Sequence, residues 1–106
     1  MIKSLSPIEA KNFLKNNSST LLLDVRESWE KEIVSLPDSF HISLKKLAKE
    51  LNSLPKDKSI IVYCHHGSRS LLACAILIKN GFNDVYNLSG GIEAWSKLLD
   101  PNLPRY

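Results

Sequence analysis

The stretch that most constrains the fold is residues 59–69, where Ser59-Ile60-Ile61-Val62-Tyr63 runs straight into Cys64-His65-His66-Gly67-Ser68-Arg69. A short, continuous, β-branched run of this kind suits a strand covered on both faces, as in a parallel sheet. Residues 68–80 then read as a helix, apolar on nearly every side and closing at Asn80-Gly81, where helices commonly stop. The same alternation recurs along the chain. Ser6-Pro7-Ile8-Glu9 reads as a helix start, with Ser as N-cap, Pro at the first position and Glu able to complete a capping box. Ala10, Phe13 and Leu14 continue its apolar side. Residues 20–25 read as a second covered strand, 27–34 as a short helix presenting Trp29 and Ile33, and 39–42 as a small strand. Leu44, Leu47, Ala48 and Leu51 fall at helical spacing behind a possible Ser43 cap. Residues 84–88 read as a strand, and Gly90-Gly91 turns into a last helix carrying Ile92, Trp95, Leu98 and Leu99.

Strands alternating with helices predict an α/β fold in three α/β/α layers, with about five mostly parallel strands. At 106 residues, the expected organisation is one domain over 1–106. In such folds chemistry gathers beyond the carboxyl ends of the strands, which directs attention to the loop after Tyr63.

Composition narrows the function classes. The net charge of +3 comes from scattered Lys and Arg, with only Lys45-Lys46 adjacent, so no basic block argues for nucleic acid. The longest apolar run, 71–78, is far too short to span a bilayer. With no apolar signal core near Met1 and only two cysteines, a reducing, cytoplasmic setting is expected, where a cysteine is either buried filling or a working thiol. Cys74, inside the apolar helix, reads as filling. Cys64 reads as the working thiol.

At a strand-to-helix junction, backbone N–H groups and the helix dipole favour an anion, and a cysteine placed there is stabilised as thiolate. Gly67 permits the bend, and Arg69 adds a full positive charge. A buried structural cysteine is the plain alternative, but Cys, Gly and Arg together at one such junction favour a site.

The loop resembles the active loop of the rhodanese family, Cys-x-x-Gly-x-Arg or a close variant. Leu23-Asp24-Val25-Arg26-Glu27 is similar to the family's Asp-Val-Arg segment, and Asn87-Leu88-Ser89-Gly90-Gly91-Ile92-Glu93-Ala94-Trp95 to its Gly-Gly-x-x-x-Trp segment. Their order and spacing match over roughly residues 6–99. The tail, with Pro104-Arg105-Tyr106, is similar to a subgroup of small rhodaneses and rhodanese domains, some linked to sulfur-carrier pathways. One departure stands out. Where the family has Gly-His-Ile-Pro-Gly-Ala, this chain has Val34-Ser35-Leu36-Pro37-Asp38-Ser39, which bears on local conformation and substrate access.

The resemblance implies a sulfurtransferase. Cys64 would take sulfane sulfur from a donor such as thiosulfate as a persulfide and pass it to a thiol or cyanide. It implies Arg69 for donor anion binding and thiolate stabilisation, and His65, His66, Gly67 and Ser68 as the cradling loop. Asp24 and Arg26 would support it, chiefly as an ion pair. No cofactor or metal is implied; a small sulfur donor and a thiol acceptor are, with a sulfur-carrier or thioredoxin-like protein as a further partner. Arg69→Ala is expected to reduce transfer more than stability.

Three rivals remain open. A cysteine-dependent phosphatase also holds a thiolate and an Arg around an oxyanion, but its loop has five residues between them, against four between Cys64 and Arg69. A non-catalytic binding or regulatory module is the second. A zinc site drawing on Cys64, His65, His66, Cys74 or His41 is the third, and adjacent Cys-His-His cannot easily direct three ligands at one tetrahedral ion. The enzyme reading requires main-chain amides converging on the Cys64 sulfur, and a sulfur that solvent reaches.

Overall fold

The structure, a computed structural model, describes residues 2–106. Its elements are β1 (Lys3–Leu5), α1 (Pro7–Asn16), β2 (Leu21–Asp24), α2 (Ser28–Ile33), β3 (Phe40–His41), α3 (Leu44–Leu47), a 3-10 turn (Leu51–Ser53), β4 (Ile60–Tyr63), α4 (Ser68–Lys79), β5 (Val85–Leu88) and α5 (Gly91–Leu99). The five strands form one sheet in the order β1-β5-β4-β2-β3, and every neighbouring pair is parallel. The fold class read from the sequence is the one found.

Local chemistry explains the starts. The Ser6 side chain accepts from the Glu9 N–H while Glu9 reaches back to the Ser6 N–H, the capping box expected of α1. Such a cap contributes about 1 kcal/mol. β4 lies between β5 and β2 and is buried along its length. Its alternate side chains face opposite layers. Ile60 and Val62 join a cluster with Leu47 of α3 and Ala73, Cys74 and Leu77 of α4, while Ile61 and Tyr63 join Ala10 of α1 and Ile92 of α5. Three layers follow from that period of two.

Successive strands add outward from β2 to β3, then on the other side from β4 to β5, so the order reverses between β2 and β4. The β2–β4 register sets Asp24 opposite Tyr63. The segments leaving the two strands therefore emerge side by side, at the place where open parallel sheets bind ligands.

Four features differ from expectation. Ser43 stands at the N-cap of α3, but its hydroxyl makes no capping hydrogen bond. β1 is an added edge strand whose exposed side chains leave no apolar pattern to read. The helix expected through Leu51 stops at Leu47, and a tighter 3-10 turn carries the chain to the buried Leu54. In α2, Trp29 and Ile33 are 59% and 41% exposed, and the buried side chain is Glu30. That inversion belongs to the site.

Candidate active site

Between the end of β4 and the start of α4, four residues turn the chain. Gly67 makes the bend at φ 110°, a value L side chains rarely adopt, and caps α4. The bend aims the Gly67 N–H at Cys64 Sγ, 3.0 Å away. The first turn of α4 adds the Ser70 N–H at 3.4 Å and sets the Ser70 hydroxyl oxygen 3.4 Å from the sulfur. The sulfur thus accepts from the donor-rich N-terminal end of a helix. His66 and Ser68 are exposed and lie on the outer side of the loop.

The loop is held from behind by α5. Ile92 N–H donates to Cys64 O (2.9 Å) and Glu93 N–H to His65 O (3.1 Å). Gly91, at φ 63°, permits this approach, because a Cβ there would collide with both carbonyl oxygens. The sequence marks Gly90-Gly91 as a turn; its second role as the seat of the loop is a tertiary contact.

Asp24 and Arg26 form a fully buried bidentate pair, Nε to Oδ1 at 2.9 Å and Nη2 to Oδ2 at 2.8 Å. Burial works against the Arg26 charge, and the Asp24 carboxylate more than offsets it, holding the guanidinium above its ordinary pKa. Arg26 also donates to Val34 O (2.6 Å) and to the Tyr106 hydroxyl (2.9 Å). Tyr63 adds a donor to Asp24 at 3.1 Å, its phenol pushed up to about 12 by burial and then by the Asp24 charge. His41 contacts Arg26 O through Nε2 at 2.6 Å.

Tyr106 carries this network to the loop. Its hydroxyl donates to Glu30 Oε2 (2.8 Å), and Glu30 takes both Arg69 N–H groups, at 2.6 and 2.8 Å. The Glu27 N–H supplies a fourth donor at 2.9 Å. Arg69 holds the Glu30 carboxyl down at about 2 against the opposing effect of burial. In return the Glu30 hydrogen bond raises Arg69. Arg69 therefore stands at the loop already engaged by a carboxylate. His65 stacks on Tyr106, and burial followed by the His66 charge lowers its pKa.

Ser70, Asn87, Glu30 and Tyr106 are site residues that motif reading does not single out, and Gly91 is one that it reads only as a turn. Asn87 and Gly91 lie inside the matched third segment and Tyr106 in the matched tail, so a signal for them existed. Nothing in the helical pattern around Trp29 and Ile33 flags Glu30. Cys74 lies buried in the core, its thiol pushed up to about 12 by burial and then by Cys64, which leaves it unreactive. Among the described residues, no three His, Cys, Asp or Glu side chains gather as a metal-binding group, and no helix is long and apolar enough to cross a membrane.

Of the two requirements placed on Cys64, the structure meets the first and not the second. Amides converge on the sulfur, but the residue is 1% exposed and packs in the same cluster as Val25, Val62 and Ala73. The physical reason is the loop's own hydrogen bonding, which draws Gly67 and Ser70 in over the sulfur.

Comparison with known proteins finds relatives over most of the chain. A sulfurtransferase from Allochromatium vinosum is 31% identical over 92% of this chain and 91% of its own length. The thiosulfate sulfurtransferase GlpE from Coxiella burnetii is 34% identical over 90% and 88% respectively. The crystal structure of a rhodanese-related protein from Thermoplasma volcanium superposes with a TM-score of 0.82 at 29% identity, covering 90% of this chain and 91% of that one. The family model for the rhodanese-like domain matches residues 6–98, so the chain belongs to the rhodanese-like family.

Proposed function

We propose that this protein is a sulfurtransferase that carries sulfane sulfur as a persulfide on Cys64, with thiosulfate as a competent donor. The observation that carries the reading is the pair of backbone N–H donors from Gly67 and Ser70 on the Cys64 sulfur, joined to the names of the relatives. In the first step the Cys64 thiolate attacks the outer sulfur of thiosulfate. An S–S bond forms at Cys64, the bond to the sulfonate breaks, and sulfite leaves with the electron pair. In the second, a thiolate or cyanide attacks the outer sulfur and the pair returns to Cys64 Sγ. One transfer becomes two easier ones.

Because Cys64 is covered, loading requires residues 65–67 to swing aside. That movement would break the Gly67 N–H contact with Cys64 Sγ and the stack of His65 on Tyr106. The test is intact-mass spectrometry after incubation with thiosulfate. Wild type is expected to gain one sulfur that cyanide removes, and Cys64→Ser none. Cys74→Ala should load as wild type does.

The covered sulfur also favours a second reading, a binding or regulatory module in which Cys64 is part of the core. Absence of sulfur gain with every donor, together with alkylation of Cys64 only on unfolding, would establish that reading instead.

A further inference from the structure

The geometry points to Ser70 as a catalytic residue that turns its hydroxyl to donate a hydrogen bond to Cys64 Sγ when this sulfur becomes the leaving group, with Asn87 as the positioning residue behind it. The inference rests on the sulfur-transfer reading above and names the half-reaction it governs.

Ser70 is fully buried, and its hydroxyl has one proton and three acceptors around it. These are Gly67 O at 3.1 Å, Asn87 Oδ1 in a short contact, and Cys64 Sγ at 3.4 Å. A hydroxyl carries one donor. In the persulfide, whose inner sulfur is uncharged, the proton satisfies a carbonyl oxygen, Gly67 O or Asn87 Oδ1, both stronger acceptors than that sulfur. Once Sγ carries a full negative charge it outcompetes them, because hydrogen bonds to ions are the stronger kind. Only the O–H needs to turn; no heavy atom moves. Asn87, nearly buried on β5 where it pairs with Val62 of β4, fixes the Ser70 oxygen through its Oδ1.

All the donors described converge on the inner sulfur, which decides the step they serve. In loading, Cys64 Sγ is the nucleophile, and donors that stabilise a thiolate also blunt it, so their effects oppose. In discharge the acceptor thiolate bonds to the outer sulfur, the Sγ–S bond breaks, and its electron pair settles on Sγ. Charge then grows at the point where Gly67 N–H and Ser70 N–H are already aimed and where the Ser70 O–H can turn, the arrangement that lowers a barrier.

The two half-reactions are measured separately by single-turnover mixing, loading with thiosulfate and then discharging the purified persulfide to cyanide. Ser70→Ala is expected to load within about threefold of wild type and to discharge about tenfold more slowly, with an unchanged dependence on cyanide concentration. Ser70→Thr, which keeps the hydroxyl, is expected to restore discharge. Equal slowing of both steps, or discharge at the wild-type rate, overturns the role of Ser70. Should Ser70→Ala not fold, near-isosteric Asn87→Asp carries the test, since its carboxylate holds the Ser70 proton; undiminished discharge there also overturns it. Failure of wild type to load at all would instead remove the sulfur-transfer reading.

Discussion

The ring of Tyr106 lies flat against the imidazole of His65, with 4.0 Å between centroids and 13° between planes. This pair ties a residue of the tail to the loop that holds Cys64. The same tyrosine accepts from Arg26 and donates to Glu30, so stacking and hydrogen bonding fix its ring and its hydroxyl separately.

Tyr106→Phe separates the two. The stack survives, while Arg26 Nη1 and Glu30 Oε2 each lose a partner. Loss of about 1 to 3 kcal/mol is expected from the urea midpoint, together with retention of sulfur loading. Tyr106→Ala also removes the ring over His65 and should speed alkylation of Cys64.

Asp24→Ala is expected to be the most damaging single truncation in the site. It leaves the Arg26 charge fully buried without its carboxylate, a situation that costs about 3 to 5 kcal/mol. Against a total stability of about 5 to 15 kcal/mol, equilibrium unfolding should show a large shift. A change under about 1 kcal/mol would mean that water reaches Arg26 in solution.

Glu30 makes stability depend on acid. Its folded value, about 2, lies below its ordinary 4.5, so the stabilisation is full above that ordinary value and is lost as pH falls through the folded one. Wild type should therefore weaken between about pH 4.5 and 2 more steeply than Glu30→Gln, by thermal unfolding across that range. Freed of its carboxylate, Arg69 in Glu30→Gln should also lower the KM for thiosulfate.

Gly91→Ala and Gly81→Ala form a matched pair. Both glycines have positive φ, but a Cβ at Gly81 meets only the flexible Lys56 side chain at 3.5 Å, whereas one at Gly91 meets the backbone of the loop. Gly81→Ala should cost about 1 kcal/mol for the backbone angle alone. Gly91→Ala should cost at least about 2 kcal/mol more and abolish sulfur loading. Equal losses would detach α5 from the site.

Much of this architecture could be read from residue order. The apolar runs of β2 and β4, the capping box at Ser6 and the glycines at helix ends each act over a few residues, so local chemistry announces them. Cys64, Gly67 and the Asp24–Arg26 pair carry a pattern of their own. What could not be read depends on partners far along the chain. Glu30 is buried because Arg69 and Tyr106, 39 and 76 positions away, satisfy it, and the resulting rotation of α2 exposes Trp29 and Ile33. The covering of Cys64 is likewise set by how the loop closes, which no spacing encodes. The expectation that Arg69→Ala spares stability now has to be weighed against the buried carboxylate it would leave behind.

The order of the strands carries a consequence for synthesis. β1, made well before β5, finds its neighbour in that strand, where Lys3 pairs with Tyr86, and the carbonyls of Cys64 and His65 are gripped by residues 92 and 93. A nascent chain thus presents its thiol well before the helix that shapes the surrounding turn has left the ribosome. Until then that cysteine behaves as any unprotected thiol does, and oxidants or metals meeting the protein during translation encounter a different molecule from the finished one.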